Sequence, residues 1–140
     1  MPLDLTSLRR AAETLQRVST AACSEERLAV LDDDLREAIR AGVIQSFEFT
    51  YELCWKFMKR WLEANLGRSQ VDGVSRRHLF RLAAEHRLIE NVDRWMDHHH
   101  ARNRTSHTYD DTIAQEVFEN AIAFVDDARG LLGQLEKRND

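Results

Sequence analysis

The segment from Arg102 to Asp110, RNRTSHTYD, concentrates side chains that could handle a phosphate group. Arg102 carries a guanidinium, which can bind a phosphate through two parallel hydrogen bonds. His107 carries an imidazole that exchanges protons near neutral pH, and Tyr109 carries a hydroxyl that can hydrogen-bond or be modified. These groups suffice for metal-free cleavage of RNA, in which the 2′-hydroxyl attacks the neighbouring phosphate. The same residues could equally well cap helix ends at a corner between two helices.

Arg102 and His107 can serve one site only if the helix that contains Arg102 ends between them. Residues five positions apart on a continuous α-helix lie about 140° apart around its axis. The two side chains therefore converge only if the helix ends or loosens near Thr105. A two-fold axis at this corner would bring a second copy of each side chain.

The six histidines suggest a metal site, but their spacing argues against one. They contain no i, i+4 pair and no HExxH motif. Asp93, Asp97 and His100 could share a helical face, although such a face is more often solvated. The run from His98 to His100 spans most of a turn, so its three rings cannot all face one ligand. Because the glycine-rich phosphate and dinucleotide motifs are also missing from the sequence, we expect neither a metal nor a cofactor.

The composition predicts one all-α domain covering residues 1–140. The chain has one proline and five glycines, with 43% hydrophobic and 31% charged residues, which suits a folded helical protein rather than a sandwich, a barrel or a disordered chain. No apolar run is long enough for a membrane span, and the first twenty residues lack a signal-peptide pattern, so we expect a cytoplasmic protein.

Cys23 and Cys54 lack CxxC spacing and are expected to be small apolar side chains. The net charge of −4 argues against a general nucleic-acid coat, so any such contact must be local.

Hydrophobic periodicity divides the chain into five or six helices with short connections, which is typical of an antiparallel up-and-down bundle. The first helix is predicted from about Leu3 to Ala22. Ser24 is the expected N-cap of the second, and Gly42 is its expected interruption. A glycine at 67 is expected to end the third helix, before a loop over residues 67–74. Further helices are expected after Ser75, near Glu90, and after Asp110 or Thr112, where T112-x-x-Q115 has the form of a capping box.

The third predicted helix is apolar on several sides. A regular a/d stripe is flanked by further apolar residues, which predicts burial against several neighbours. In so small a chain this pattern favours a central helix that also contributes to a homodimer interface, with the central helix of a monomer as the alternative. The stripe consists of Ile44, Phe47, Tyr51, Cys54, Met58 and Trp61, and the flanking residues are Phe49, Leu53, Trp55, Phe57 and Leu62.

Two blocks of the sequence resemble the nucleotidyltransferase substrate-binding proteins, which belong to the HEPN group. The blocks are GVIQSFEFTYELCWKFMKRWLE, residues 42–63, and RNRTSHTYD, residues 102–110. The second block fits the HEPN pattern of Arg, four residues, His, one residue and Tyr, with a polar Asn103 after the Arg. The likeness extends over nearly the whole chain. The family that it resembles is related to the HepT toxins of two-protein toxin–antitoxin pairs.

The resemblance implies a HEPN-like, homodimeric helical bundle paired with a separately encoded minimal nucleotidyltransferase. In some relatives the HEPN protein is a metal-independent endoribonuclease that the transferase silences by adding AMP to the motif tyrosine. Carried over, Arg102 and His107 would be catalytic, Asn103 would orient them with Arg104 in support, and Tyr109 would accept AMP. An added phosphate beside Arg102 would occupy its guanidinium and repel RNA.

These considerations leave three hypotheses for the function. The first is the partner, or substrate-binding, subunit of the transferase, with the corner from Arg102 to Tyr109 as the shared contact. The alternative is an active ribonuclease toxin that binds RNA, so the chain is either an enzyme or a non-catalytic partner. The third is a helical assembly module without a ligand.

Overall fold

The computed structural model describes residues 2–139, and within them the secondary structure is helical throughout. A single 3₁₀ turn, Thr105–His107, connects the last two helices. Five helices have ten residues or more, which agrees with the five or six predicted, and the other two are short connecting segments. The helices are α1 Thr6–Ala22, α2 Glu25–Ala29, α3 Asp33–Leu66, α4 Arg68–Val71, α5 Arg76–Glu85, α6 Val92–Asn103 and α7 Asp111–Lys137.

The predicted break at Gly42 is wrong. Helix α3 begins at Asp33 and continues through Gly42 to Leu66. Its start is fixed by Asp32, whose side chain accepts a hydrogen bond from the Leu35 N–H over 2.9 Å, and two further aspartates lie in the first turn. Carboxylates at a helix N-terminus satisfy free N–H groups and the helix dipole. A single interior glycine costs only about 0.5–1 kcal/mol relative to alanine, which a long packed helix tolerates.

Most of the other predicted helix ends are confirmed. Ser24 caps α2, Ser75 caps α5, and Gly67 ends α3 with a φ of +94°, a conformation that favours glycine. The predicted loop over residues 67–74 contains the short helix α4. The capping box at Thr112 is wrong, because the Asp110 carboxylate already accepts hydrogen bonds from the backbone N–H groups of residues 112 and 113.

Helices α1, α3, α6 and α7 form the predicted up-and-down bundle. The start of α1 lies beside the end of α7. There the Asn139 side-chain amide accepts from the Leu3 N–H over 2.7 Å and donates to the Leu3 carbonyl over 2.8 Å. Helix α6 runs antiparallel to its neighbours on two sides, as its contacts show. These contacts are Arg102 with Glu48 and His99 with Tyr51 on α3, and Arg94 with Asp127 and His98 with Asn120 on α7.

The core lies along α3, as the apolar stripe predicts. All six residues of the predicted stripe are buried, together with Phe57 and Leu62 from the flanking set. The Phe124 ring of α7 packs edge-on against Phe47 and Trp95, with ring centroids 5.2 and 5.4 Å apart. Phe49 departs from the pattern, because 61% of its surface is exposed.

The two cysteines lie in different surroundings. Cys54 is buried in the core, and this burial raises the pKa of its thiol, whereas Cys23 is exposed at the end of α1. Over residues 2–139, none of the helices combines the length and the apolar character needed to span a bilayer.

Candidate functional site

Helix α6 ends at Asn103, before Thr105, which is where the convergence of Arg102 and His107 requires it to end. Thr105 helps to end the helix, because its hydroxyl donates to the Arg102 carbonyl over 2.9 Å. The chain then makes the 3₁₀ turn, in which the His107 N–H donates to the Arg104 carbonyl over 3.0 Å. The segment from Arg102 to Asp110 is therefore a tight corner between α6 and α7.

Arg102 reaches from this corner onto α3. Its Nε donates to Glu52 Oε1 over 3.0 Å, and its Nη2 lies 3.6 Å from Glu48 Oε1. The side chain is half-buried, with 30% of its surface exposed. The guanidinium is thus already paired with two carboxylates, so an incoming phosphate must compete with at least one of them.

His107 and Tyr109 are exposed on the outer side of the corner. Their ring centroids lie 6.1 Å apart, and 87% of the Tyr109 surface is accessible. Among residues 2–139, neither side chain has a hydrogen-bond or ion-pair partner, and no such contact joins Arg102 to His107. The structure therefore brings His107 and Tyr109 close together and leaves both free to act on another molecule, while Arg102 is held against α3.

Asn103 and Arg104 point to different neighbours. The Asn103 amide nitrogen lies 3.4 Å from His99 Nε2 on the preceding turn of α6. Arg104 Nη2 lies 2.6 Å from Glu116 Oε2, so Arg104 fastens the corner to α7. The ion pair with Glu116 is the contact that the structure shows for Arg104, and its support of the site stays a prediction.

The histidine run His98–His100 divides among three environments, as its spacing predicts. His98 is buried between α6 and α7, where Nε2 donates to Asp127 Oδ2 over 2.7 Å. His99 is half-buried and faces α3, and His100 is exposed, as are Asp93 and Asp97. Within the part of the chain that the structure describes, no group of three potential metal ligands comes together.

Sequence reasoning missed a set of five side chains behind Arg102 and Asn103, which we call the Arg76 cluster. Arg76 Nη1 donates to the Tyr51 hydroxyl over 3.0 Å, and that hydroxyl lies 2.8 Å from His99 Nδ1. The Arg76 guanidinium stacks on the Trp55 ring, 3.8 Å from the ring centroid. Trp55 Nε1 in turn donates to Glu52 over 3.0 Å. The cluster consists of Tyr51, Glu52, Trp55, Arg76 and His99.

The electrostatics of the Arg76 cluster keep His99 and Tyr51 uncharged. Burial lowers the pKa of His99, and the neighbouring charges of Arg76, His100 and Arg102 lower it further against the opposing effect of Glu52. Burial raises the pKa of the Tyr51 hydroxyl, although Arg76 acts in the opposite direction. The neutral imidazole can accept a hydrogen bond from the Tyr51 hydroxyl at Nδ1 and carries its own proton at Nε2.

Two sequence signals could have led to this cluster. Tyr51 occupies the buried stripe of α3, and a buried tyrosine hydroxyl needs a hydrogen-bond partner. Arg76 is the first residue of α5, where the helix dipole disfavours a cation. Neither signal identifies the partner, because the contacts join helices that are distant in sequence.

Comparisons with known proteins agree with this architecture. The family described as nucleotidyltransferase substrate binding protein like matches residues 3–137. A Haemophilus influenzae protein named probable ribonuclease HepT is 35% identical over 106 residues, which cover 75% of this chain and 73% of the relative.

Two solved structures share the fold. One, from Haemophilus influenzae, is described as the fold of a substrate binding domain of a nucleotidyltransferase; it has 29% sequence identity and a TM-score of 0.91, and the match covers 95% of this chain and 99% of that one. The other, from Thermus thermophilus, has 25% identity and a TM-score of 0.71, with coverages of 91% and 98%.

Proposed function

Because the chain belongs to the nucleotidyltransferase substrate-binding protein family, we propose that it is the partner subunit of a separately encoded minimal nucleotidyltransferase. The shared contact is the corner from Arg102 to Tyr109. The exposure of Tyr109 is the observation that carries this proposal, because its hydroxyl is open to the active site of another protein. The corner also presents His107, whose ring centroid lies 6.1 Å from that of Tyr109.

The reaction proposed at Tyr109 is transfer of AMP from ATP. The tyrosine oxygen forms a bond to the α-phosphorus as the bond to the leaving pyrophosphate breaks, and the phenol proton passes to a base of the transferase. The product carries a phosphodiester next to a corner rich in arginine. That negative charge competes with Glu48 and Glu52 for Arg102 and repels other phosphates.

Intact-mass measurement after incubation of the two proteins with ATP and Mg²⁺ tests the proposal. We expect a mass increase of one or more AMP units that disappears in Tyr109→Phe. Tyr51→Phe should still gain the AMP mass, because it keeps Tyr109 and removes only the hydroxyl of the other, buried tyrosine. No mass increase with the wild-type chain, or an increase that survives Tyr109→Phe, would contradict the proposal.

A metal-independent endoribonuclease is the second candidate. The 35% identity to a probable ribonuclease favours it, and so does the exposure of His107. In this reaction the 2′-oxygen bonds to the adjacent phosphorus and the bond from phosphorus to the 5′-oxygen breaks. His107 takes the 2′ proton or supplies the proton that the leaving oxygen needs, and Arg102 stabilises the phosphate.

Homodimer formation is part of the proposal, because cleavage needs both an acid and a base and each chain supplies one motif histidine. A two-fold axis near the corner would provide the second. The exposed Phe49 on α3 offers an apolar side chain for a subunit contact along this helix.

A further inference from the structure

Arg76 occupies a position that local physical chemistry disfavours. Together with Arg77 it forms the first turn of α5, which contains no acidic residue, and the positive end of the helix dipole opposes cations there. Arg77 extends outward to Asp93, an exposed partner 3.6 Å away. Arg76 instead turns inward onto α3. A residue that breaks a local rule in this way is expected to have a role elsewhere in the structure.

One contact path leads from Arg76 to Asn103. A guanidinium can only donate hydrogen bonds, so the Tyr51 oxygen accepts from Arg76 over 3.0 Å. The Tyr51 proton is then free to be donated to His99 Nδ1, 2.8 Å away. This assignment places the His99 proton on Nε2, which lies 3.4 Å from the end of the Asn103 side chain. The Asn103 amide therefore accepts from Nε2–H when its oxygen is turned to that position.

A second path leads from Arg76 to Arg102. The Arg76 guanidinium covers the face of Trp55 and limits the rotation of the indole ring. The indole N–H donates to Glu52 Oε2 over 3.0 Å, which fixes the carboxylate. The other oxygen of the same carboxylate accepts from Arg102 Nε over 3.0 Å.

We propose that Arg76 is a positioning residue that fixes Arg102 and Asn103 at the same time, through these two separate paths. The paths begin on one guanidinium and end on consecutive residues of the corner, so the orientations of both motif side chains depend on a residue about 25 positions earlier in the chain. The effect of Arg76 on activity rests on the proposed function, whereas its effect on the orientation of the Arg102 and Asn103 side chains does not.

Arg76→Met tests this proposal, with Arg77→Met as the matched control. Methionine keeps an apolar chain over Trp55 and removes the charge and the donors. We expect the Arg102 Nε–H and the His99 ring nitrogen resonances in ¹⁵N-resolved NMR spectra to shift or broaden in Arg76→Met and to stay unchanged in Arg77→Met. Arg76→Lys should preserve the His99 signals better than the Arg102 signal, because an ammonium can donate to Tyr51 but does not stack as a planar group.

In an RNA-cleavage assay we expect Arg76→Met to lower kcat by about 10- to 100-fold, as misplacement of catalytic groups does. KM should stay within about twofold of the wild-type value, because a positioning residue does not itself bind the substrate. An unchanged Arg102 resonance in folded Arg76→Met would overturn the inference. If no variant cleaves RNA while the resonances still shift, the ribonuclease function fails and the positioning role stands.

Two single-path variants keep the test decisive if Arg76→Met does not fold. Tyr51→Phe removes the hydroxyl of the first path, and Trp55→Phe keeps an aromatic ring but removes the N–H of the second. We expect Tyr51→Phe to move the His99 resonances and Trp55→Phe to move the Arg102 resonance. The two-path arrangement is wrong if neither variant changes its expected resonance. It is also wrong if Tyr51→Phe moves only the Arg102 resonance and Trp55→Phe moves only the His99 resonances.

Discussion

Arg102 and Glu52 are joined by a hydrogen bond of 3.0 Å between Nε and Oε1, which holds the motif guanidinium against α3. Glu48 lies near the other end of the same guanidinium but at 3.6 Å. Glu52 is further held by the Trp55 N–H, and Glu48 is more exposed. The two carboxylates therefore hold the guanidinium differently: Glu52 orients Arg102 through a short hydrogen bond, and Glu48 is its more exposed and more distant partner.

Glu48→Gln is expected to strengthen binding of a short RNA by about two- to fivefold, which corresponds to the worth of a partly exposed ion pair. The substitution removes the charge that competes with the phosphate and leaves the Glu52 contact in place. Filter binding or fluorescence anisotropy at fixed salt measures the affinity, with His107→Ala as the background to prevent cleavage.

Glu63→Gln is the control for the change in net charge, because Glu63 pairs with Arg68 at the far end of α3. An equal gain in both variants would mean that overall charge, and not competition at Arg102, sets the affinity. Glu52→Gln should not reproduce the gain, because the loss of a charged acceptor loosens Arg102.

His107→Ala is expected to abolish RNA cleavage without changing the fold. The side chain is exposed and makes no hydrogen bond within residues 2–139, so the free energy of unfolding should change by less than about 0.5 kcal/mol. Wild-type activity should persist in a chelator and leave cyclic phosphate ends. His100→Ala, another exposed histidine outside the motif, should retain activity; loss of wild-type activity in the chelator would contradict the metal-free mechanism.

Phe49→Asp is expected to shift the chain from dimer to monomer if α3 forms the subunit contact. A charge at the centre of an apolar contact opposes association, whereas at an exposed position of the monomer it leaves the fold intact. Sedimentation velocity over a range of concentrations measures the change. Val30→Asp, at another exposed apolar residue near the start of α3, is the control, and an unchanged dimer in Phe49→Asp would place the interface elsewhere.

The fold could be predicted from the sequence wherever short-range chemistry determines it. Serine caps at 24 and 75, the glycine at 67 and the apolar stripe of α3 all act within one or two turns, and the structure confirms each of them. The error at Gly42 arose where two local signals competed. A glycine inside a helix is a weak stop, and the run of aspartates from Asp32 is a strong start.

The site could be predicted only in part, because its contacts are long-range. The sequence gives only the condition that the helix must end near Thr105 if Arg102 and His107 are to converge. The structure meets that condition with an end at Asn103, where short polar residues compete for backbone groups. Nothing in the local sequence indicates that Arg102 is paired with Glu48 and Glu52, which are about 50 residues away. The Arg76 cluster was missed for the same reason, since it joins α3, α5 and α6.

Gly42→Ala is expected to raise the free energy of unfolding by about 0.5–1 kcal/mol. Gly42 lies inside α3, and a methyl group built on it meets no other atom within 4 Å. Urea unfolding measures the gain. Gly67→Ala is the contrasting variant, because a φ of +94° strains any residue with a Cβ and should lower stability. A loss of stability in Gly42→Ala would show that another subunit packs closely at this position.

Asp127 is expected to make the protein sensitive to acid. Burial alone would raise the pKa of its carboxyl, but hydrogen bonds from His98 and Arg94 outweigh burial and hold the pKa below the ordinary 3.8. A carboxyl with a lowered pKa in the folded state stabilises the protein above its unfolded-state pKa, and this contribution is lost as the pH falls through the folded-state value. Wild-type stability should therefore decline below about pH 4.

Asp127→Asn should lose about 1–3 kcal/mol at neutral pH, because His98 and Arg94 lose a charged acceptor in a place where only 8% of the Asp127 side chain is exposed. Its stability should then depend less on pH below pH 4 than that of the wild type. Urea unfolding at a series of pH values from 7 to 2 measures both effects. Asp126→Asn, at the exposed neighbouring aspartate, should behave like the wild type. Parallel curves for Asp127→Asn and the wild type would mean that other carboxylates cause the acid sensitivity.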